Sequence, residues 1–347
     1  MLCFLGMYYR HAGFREAYCS EQADGNAGKL AMLIQTNCNE EDPSSRCTIC
    51  GGDQWRFVRE GCDLYQPSCE ESFKLGRCLS CGQIMQNPLP TPEQLSKGYS
   101  AEYAPYRPAW KQTGWPLWKI LRDLTTWRRL RRLQRYGGGN KLLEVGCGAG
   151  DFLHAAHRVG WDVRAVEYSS ALADALRIEL GFDVRAGELT PGLWEQGSFD
   201  VVALWSVLEH LRNPLEALVT ASSYLRAGGI VFIQIPTLHG VELGKEFGQY
   251  WALLDLPRHL SFFGRECLSE LCDKAGMKLI VFKTPLLETA WCYFQSIRNY
   301  AYHSRRPMWR AARMAFLALI SVISLPYMAI RARRGHGTEA FAVAVKR

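Results

Sequence analysis

The second half of the chain alternates short apolar runs with amphipathic stretches. The apolar runs predict seven strands, at residues 141–145, 163–167, 183–186, 199–204, 230–235, 278–283 and 340–345. The stretches between them predict helices at residues 151–159, 170–180, 214–225 and 265–275. Short, mainly apolar strands are typical of a parallel sheet that is covered on both faces. The pattern therefore predicts an α/β fold, in which a seven-stranded sheet carries helices on both faces.

The remaining segments differ in composition and divide the chain further. Residues 1–45 show no period and are expected to be a poorly ordered N-terminal extension. Residues 46–87 carry paired cysteines, and residues 88–136 combine a connector rich in Pro and Tyr with a basic amphipathic helix. The α/β domain is expected to span residues 137–347, with a helical, apolar insertion at 285–337 before the last strand.

Composition limits the class of protein. The 347 residues are 48% hydrophobic and 22% charged, which is typical of a globular protein. A net charge of +7 permits an acidic partner without requiring one. The thirteen cysteines are odd in number, and the chain is too long for a secreted disulfide scaffold. Because no signal peptide is recognisable, the sequence favours a reducing, cytoplasmic location in which some cysteines bind metal.

Two C-x-x-C-G motifs predict a metal site. Its four ligands are Cys47 and Cys50 in "CTICGG" and Cys78 and Cys81 in "CLSCGQ". Each pair brackets a tight turn, and four thiolates make a closed, tetrahedral site for structural zinc. A redox dithiol is less favoured, because two motifs at matched spacing need a common partner. The 27 residues between the pairs exceed the usual gap of a zinc ribbon, so Cys62 and Cys69 are alternative ligands.

Three glycines follow the first strand of the α/β domain, in "EVGCGAG" at 144–150. Glycines at this place let the backbone approach a ligand closely and leave amides free at the start of the next helix. A dinucleotide site has the spacing G-x-G-x-x-G, whereas the third glycine here, Gly150, comes one residue early. The shorter turn favours a nucleoside without a pyrophosphate. Glu167, at the end of the second strand, is placed to accept hydrogen bonds from two ribose hydroxyls.

Four stretches of the α/β domain occur together in a known family. "EVGCGAG" matches the pattern E/D-x-G-x-G-x-G in full, and "GSFDVVALWSVLEHLRNP" (197–214) carries a strand followed by E-H-x-x-x-P. "LRAGGIVFIQIPT" (225–237) has a glycine turn before a strand, with Ala227 where Pro is usual, and "LPRHLSFF" (256–263) is common in one bacterial subgroup. Residues 137–284 and 338–347 thus resemble the class I S-adenosylmethionine-dependent methyltransferases, whose sheet is Rossmann-like.

The resemblance implies a role in cofactor binding for ten residues. These are Glu144 and the backbone of Gly146, Cys147, Gly148 and Gly150 at the methionine part, Glu167 at the ribose, Tyr168, Glu188 and Leu189 at the adenine, and Trp205 closing the pocket. The order of a zinc ribbon, a Tyr-rich connector and this core also resembles bacterial sugar and polysaccharide-cluster methyltransferases, including deoxysugar C-methyltransferases. That second resemblance makes Tyr99, Tyr103 and Tyr106 candidates for a lid over the substrate.

Methyl transfer needs a base only when the acceptor must lose a proton. Candidate catalytic residues lie in loops after the strands, where open α/β sheets bind ligands. They are Glu209 and His210 after the fourth strand and His259 in "LPRHLSFF", with His239 as a further option. For Glu209 the structural alternative, capping or orienting the following helix, is favoured.

Two segments predict contact with a charged partner or a membrane. The helix at 115–136 is aromatic on one side and rich in arginine, so it either packs with a solvated basic face or contacts anionic lipid or nucleic acid. Residues 314–330 are uncharged, with arginines on both sides. Because residues 340–345 must return to the same sheet as 278–283, a single membrane crossing is excluded. Interfacial membrane association is favoured over a segment that dips into the membrane and returns, over core packing and over a dimer interface.

The sequence therefore predicts S-adenosylmethionine-dependent methyl transfer to O or C of a small-molecule, glycan or lipid-linked acceptor. The predicted location is the cytoplasm, at the inner face of the membrane. One alternative is an RNA methyltransferase that uses the zinc ribbon and the basic helix, although residues 205–208 lack the [ND]-P-P-[YF] signature. Two others are a nicotinamide oxidoreductase and a non-catalytic zinc-ribbon membrane adaptor. The oligomeric state is left open.

Overall fold

The computed structural model of the chain describes residues 46–64, 71–98, 116–303 and 307–347. The expected N-terminal extension and the tyrosine lid of Tyr99, Tyr103 and Tyr106 lie outside these residues. Cys69, one of the alternative metal ligands, lies outside them as well.

Eleven strands and ten α-helices follow one another in the described part of the chain. The strands are β1 (Trp55–Cys62), β2 (Ser72–Cys78), β3 (Ile84–Gln86), β4 (Lys141–Val145), β5 (Asp162–Glu167), β6 (Asp183–Ala186), β7 (Phe199–Trp205), β8 (Leu225–Pro236), β9 (Ser261–Phe262), β10 (Met277–Lys283) and β11 (Glu339–Lys346). The helices are α1 (Pro92–Gly98), α2 (Pro116–Tyr136), α3 (Asp151–Arg158), α4 (Ser170–Leu180), α5 (Pro214–Tyr224), α6 (Leu238–Glu242), α7 (Arg265–Lys274), α8 (Leu286–His303), α9 (Pro307–Ile323) and α10 (Leu325–Arg333).

The larger sheet has seven strands in the order β10-β11-β8-β7-β4-β5-β6. The four pairings from β8 to β6 are parallel, and β11 is antiparallel to both of its neighbours. After β4 the chain first builds β5 and β6 on one side and then returns to build β7 and β8 on the other. The carboxyl ends of β4 and β7 are thus the switch point at which open α/β sheets bind ligands. The predicted seven-stranded α/β fold is confirmed.

Alternate side chains of the strands support two separate cores. On one face Leu142, Val163 and Val201 pack together with the helices α2, α3 and α4. On the other face Leu143 and Val202 pack with α5 and α7. Residues two apart along a strand point to the same face, which is why strands buried on both faces read as continuous apolar runs.

The cysteine-rich segment forms the second sheet together with a strand of the α/β domain. Its order is β1-β2-β3-β9, and Ile84 pairs with Phe262 where β3 meets β9. The Arg59 side chain adds four hydrogen bonds to backbone oxygens in residues 241–248. The zinc-ribbon segment is therefore tied by backbone pairing to the segment that carries "LPRHLSFF".

The insertion between the last two strands consists of α8, α9 and α10. It leaves β10 at Lys283 and returns at Glu339, and Lys283 lies opposite Phe341 across the two strands. Within the described residues no single helix meets the length and hydropathy of a membrane span. One pair, Ala312–Ile323 and Leu325–Arg333, meets them jointly across a bend of 49°.

Candidate functional site

The glycine turn after β4 adopts a backbone that only glycine accepts easily. Gly146, Gly148 and Gly150 have φ values of 65°, 53° and 77°, in the left-handed region. A Cβ at Gly146 would lie 2.7 Å from a methyl group of Val207, in the loop after β7. The turn thus lets two loops approach each other at the switch point and ends at the N-terminus of α3.

Glu167, at the end of β5, holds this turn in place. Its carboxylate accepts hydrogen bonds from the backbone amide of Gly148, at 2.7 Å, and from that of Ser169, at 2.9 Å. The side chain is 4% exposed, and burial raises the pKa of Glu167 against the effect of those amides. Each carboxylate oxygen has a second lone pair, so the group can still accept a hydrogen bond from a ligand hydroxyl.

Three buried polar atoms at the carboxyl end of the sheet have no hydrogen-bond partner within the described residues. They are Oε2 of Glu144 on β4, Nε of Arg129 on α2, and Nε1 of Trp205 on β7. The Arg129 guanidinium lies 5.0 Å from the centre of the Trp205 ring. Burial raises the pKa of Glu144 to about 8, although the charge of Arg129 opposes that shift. Hydrogen-bonding atoms left without partners side by side in a buried site indicate a place for a polar ligand.

Two further residues extend this cluster along the same edge. Glu339, at the start of β11, accepts a hydrogen bond from the Gln234 side chain of β8 at 3.0 Å. Burial raises the pKa of Glu339 to about 7. Trp205 stacks on Phe232 and on Phe341, at ring distances of 5.7 and 6.3 Å. The predicted pocket-closing residue therefore forms part of an aromatic stack below the polar cluster.

Arg129 was not among the predicted site residues, because both interpretations of the basic helix placed its arginines on a solvated face or at a partner. Arg129 instead lies in the cluster, while Arg128 and Arg132 both pair with Glu288 of α8. The Arg132 guanidinium also lies over the Phe341 ring at 4.3 Å. One face of the helix thus packs on the protein through its arginines. The run of arginines at a four-residue spacing was the only available signal.

The residues expected at the adenine lie at the rim of the same edge. Tyr168 is 68% exposed, and Glu188 is exposed as well. Leu189 is half-buried and packs against the core. Cys147 is buried inside the turn, and burial raises the pKa of its thiol. Their roles toward a cofactor remain predictions.

The three predicted catalytic residues lie together. Glu209, His210 and His259 offer ligand atoms that are all within 4.8 Å of one another. The ring centres of the two histidines are 4.9 Å apart. The amide of Leu260 donates to the carbonyl of Glu209 at 2.8 Å and so holds the two loops together. His239 lies elsewhere and stacks on the His336 ring at 4.0 Å.

Both histidines bond to a backbone carbonyl, which assigns their tautomers. Nδ1 of His210 lies 3.0 Å from the oxygen of Arg258, and Nδ1 of His259 lies 2.8 Å from that of Leu253. A carbonyl only accepts, so each Nδ1 carries the proton and each Nε2 is a proton acceptor. Burial lowers the pKa of His210 to about 3 and also lowers the pKa of His259. Both rings are therefore neutral at pH 7.

Glu209 has the opposite tendency. It is 1% exposed, its Oε2 has no partner within the described residues, and burial raises its pKa well above the ordinary value. The site therefore places a carboxyl group with a raised pKa beside imidazoles with lowered pKa values, the kind of separation that acid–base pairs need. Glu209 does not cap α5, because the Asn213 side chain caps that helix by accepting from the amide of Glu216. The alternative that Glu209 orients the helix stays a prediction.

The segment before β9 fixes His259 through buried contacts with the cysteine-rich segment. Arg258 is 1% exposed and pairs with Asp63, after β1, at 3.0 Å and with Asp255 at 2.8 Å. The Gln86 side chain of β3 donates to the carbonyl oxygens of Pro257 and His259. Asp255 Oδ2 lies 3.8 Å from His259 Nε2. Gln86 thus fixes the backbone carbonyls of Pro257 and His259, and Asp63 fixes the Arg258 side chain between them.

The four cysteines predicted as metal ligands form one cluster. Their sulfurs are within 4.8 Å of one another, with contacts of 3.5 Å between Cys47 and Cys81 and 3.6 Å between Cys50 and Cys78. Zn–S bonds of about 2.3 Å in a tetrahedron place sulfurs about 3.8 Å apart, so the cluster has the size for zinc. Cys62, an alternative ligand, lies outside the cluster and contacts the Gln249 side chain.

Comparison with known families assigns the core of the chain. Residues 118–281 match the family described as a methyltransferase domain. The glycine turn, Glu167 and the sheet order all lie in or around this segment. Residues 118–281 therefore carry a methyltransferase domain, which indicates a class I S-adenosylmethionine-dependent methyltransferase and sets the nicotinamide alternative aside.

The relatives are named O-methyltransferases. The ubiquinone biosynthesis O-methyltransferase of Cupriavidus pinatubonensis is 32% identical over 101 residues, which are 27% of this chain and 41% of the relative. That of Caulobacter vibrioides is 33% identical over 123 residues, which are 32% of this chain and 48% of the relative. The chain thus spans about half the length of these curated relatives. The matched residues lie in the core of the chain, so these relatives do not establish the activity of the whole protein.

Two solved structures are distantly similar to the chain. The [4+2]-cyclase SpnF is 22% identical, with a TM-score of 0.42, over 65% of this chain and 80% of that one. A SAM-dependent methyltransferase from Archaeoglobus fulgidus is 17% identical, with a TM-score of 0.42, over 65% and 94%. We draw no functional conclusion from either.

Proposed function

We propose that the protein transfers a methyl group from S-adenosylmethionine to an oxygen or carbon of a small-molecule, glycan or lipid-linked acceptor. When bound, the cofactor supplies a methyl group that its sulfonium already activates. The chain has to bind the zwitterionic amino acid end, hold the ribose, orient the acceptor and exclude water. The residues around the switch point are suited to each of these tasks.

The observation that carries the proposal is the set of unpartnered polar atoms beside the glycine turn. Oε2 of Glu144 is an acceptor for the cofactor's ammonium group, and the Arg129 guanidinium is a donor for its carboxylate. The Glu167 carboxylate, already bonded to the turn, is the acceptor for ribose hydroxyls. Arg129 Nε and Glu144 Oε2 each lack a hydrogen-bond partner within the described residues, and a zwitterion offers an acceptor to the first and a donor to the second.

The histidine cluster supports an acceptor that loses a proton. Nε2 of His259 is a proton acceptor, and Asp255 lies close enough to stabilise the imidazolium that forms. His210 is less suited to the same role, because burial makes its protonation more unfavourable. We assign the base to His259, and Glu209, whose pKa is raised by burial, positions the acceptor. Oxygen is favoured as the acceptor atom because the named relatives are O-methyltransferases.

The structural zinc site would be formed by Cys47, Cys50, Cys78 and Cys81. It offers four thiol sulfurs and no oxygen or water position, which suits a closed site rather than a catalytic one. Its role in the proposed enzyme is to support β3, whose Gln86 holds the backbone of His259. The ribbon acts on the reaction through that contact.

The RNA alternative is less favoured, because Arg128, Arg129 and Arg132 of the basic helix contact protein groups and only Arg131 and Arg135, among its described basic side chains, are exposed. The adaptor alternative conflicts with the cluster of buried acids and histidines, since desolvated groups of this kind destabilise a fold and are typical of active sites.

Calorimetry and product analysis test the proposal. Zinc-loaded protein is titrated with S-adenosylmethionine and with NADH, and only the first is expected to bind. A panel of phenols, nucleotide sugars and polyprenyl-phosphate sugars is then screened for release of S-adenosylhomocysteine. His259→Gln is expected to abolish turnover and retain cofactor binding, whereas His239→Gln retains both. If both Glu167→Ala and Arg129→Met bound the cofactor as the wild type does, the proposed site would be refuted.

A further inference from the structure

The insertion exposes a continuous apolar surface that the methyltransferase site does not use. The apolar patch, as we name it, consists of Phe316, Leu319, Val322, Ile323, Tyr327 and Ile330, which are 51 to 67% exposed. Their spacing of three and four residues places them on one side of α9 and continues across the bend into α10. Contiguous exposed apolar surface of this kind marks a docking site.

The opposite side of the same helices is already buried. Leu317 and Met328 are at most 1% exposed and pack in a core cluster with Tyr293 and Trp251. A helix at the surface of a soluble protein normally turns polar residues outward. Here the outward side is as apolar as the buried one, so it requires an apolar partner.

The charges around the patch identify that partner. Residues 289–338 contain eight arginines, no lysine and no acidic residue. Among those described, Arg313 precedes the patch, and Arg333 and Arg334 follow it in exposed positions. An apolar surface between arginines complements an anionic bilayer, in which acyl chains lie beneath negative headgroups.

The topology decides how the segment meets the bilayer. Both ends of the insertion join neighbouring strands of one sheet, with Lys283 opposite Phe341. A segment that leaves and returns at the same place lies on one side of a membrane. The bend of 49° between Ala312–Ile323 and Leu325–Arg333 lets both helices follow the surface.

We propose that the apolar patch docks the protein on an anionic membrane surface, with α9 and α10 lying in the headgroup region. A second copy of the chain is the competing occupant. In a twofold dimer the same surfaces face each other, so two copies of residues 289–338, each with eight arginines and no acidic residue, would be brought together. The charges therefore favour the bilayer.

Vesicle co-sedimentation of the full-length, zinc-loaded protein tests the docking. Vesicles of phosphatidylcholine alone are compared with vesicles that contain phosphatidylglycerol as well. The wild type is expected to bind the anionic vesicles, and Leu319→Gln with Ile323→Gln is expected to weaken binding about 100-fold, or about tenfold per side chain. Arg333→Gln with Arg334→Gln is expected to weaken binding only to the anionic vesicles, by about fivefold for each arginine. Ile178→Gln, at an 83% exposed position on α4, is the matched control.

Folding and oligomeric state separate the outcomes. Circular dichroism and S-adenosylmethionine binding establish that each variant folds, and Val322→Gln with Ile330→Gln replaces any variant that does not. Sedimentation velocity measures the mass of the protein in solution. A wild type that ignores both kinds of vesicle overturns the proposal. The proposal is also overturned if the wild type is a dimer that does not bind vesicles and that Leu319→Gln with Ile323→Gln dissociates. That result assigns the patch to a second copy of the chain.

Discussion

Glu144 is expected to couple cofactor binding to the release of a proton. Burial raises its pKa to about 8, so at pH 7 about one carboxyl in eleven is ionised. Pairing with the ammonium group of S-adenosylmethionine requires the ionised form. The deprotonation costs about 1.4 kcal/mol at pH 7 and about 2.7 kcal/mol at pH 6. The dissociation constant is therefore expected to be about ninefold weaker at pH 6 than at pH 7, with about 0.9 proton released per cofactor at pH 7.

Isothermal titration calorimetry measures both quantities. Titrations at pH 6.0, 6.5 and 7.0 give the pH dependence, and the ammonium group stays protonated in this range because its pKa is about 7.7–8.0. Parallel titrations in phosphate and Tris give the number of protons released. In Glu144→Gln the dissociation constant should no longer depend on pH in this window, and the proton release should fall close to zero.

Neighbouring acids provide the control. The groups that shift the pKa of Glu144 are Arg129, Asp151 and Glu167, while Glu339 titrates separately with a pKa of about 7. Glu339→Gln should therefore retain most of the proton release. If Glu144→Gln kept the wild-type pH dependence, or the wild type released no proton, Glu144 would not be the group that pairs with the cofactor.

Four other changes test the rest of the site. Cys50→Ser is expected to lower zinc from about one ion per chain to none by elemental analysis, because three thiolates leave the tetrahedron open. Gly146→Ala should weaken cofactor binding about tenfold in calorimetry, since φ is 65° and the new Cβ would meet a valine methyl group. Asp63→Asn should lower the free energy of unfolding in urea by about 3 kcal/mol, because part of the buried charge of Arg258 loses its partner. Cofactor-free Glu144→Gln should melt at a higher temperature than the cofactor-free wild type at pH 9 but not at pH 5. The pKa of Glu144 is raised to about 8 in the folded protein, so the stability that its protonated carboxyl contributes to the wild type is lost as the pH rises through about 8.

Matched variants show whether each effect is local. Cys272→Ser, at a buried cysteine outside the cluster, should keep its zinc. Gly160→Ala has a similar left-handed φ of 95° with no atom near the new Cβ, so it should affect stability and leave cofactor affinity intact. Asp174→Asn removes an exposed ion pair and should change the free energy of unfolding by less than about 1 kcal/mol. If a variant and its control had equal effects, the role assigned to the corresponding contact would be contradicted.

The predicted strands agree with the observed ones because each is a local pattern. Residues 141–145 and 183–186 form strands with the predicted ends, and 199–204 extends by one residue. The run at 230–235 is instead the end of a longer strand that starts at Leu225. The glycines between 225 and 230 were interpreted as a turn, whereas the structure extends the strand through them. Boundaries shift in this way because pairing partners, and not local preference, end a strand.

Residues far apart in the chain were brought together by packing. Nothing in the spacing indicated that Arg129 would lie beside Trp205, or that β9 would join the cysteine-rich sheet. The three catalytic candidates could be named singly, because Glu209 and His210 follow a strand and His259 lies in the stretch "LPRHLSFF", but their convergence depends on the contact between Leu260 and Glu209. Such contacts form when two folded loops meet, so no single stretch encodes them.

The sequence by itself determined the kind of sheet, the nucleoside turn and the two cysteine pairs. These features depend on residues that are close in the chain, where periodicity and backbone freedom act directly. Only the tertiary structure decided which charges became buried without partners, which ring nitrogens face an acceptor and which side of the insertion stayed exposed. Those properties arise from desolvation and from the exclusion of water between elements, and both exist only after the elements have packed.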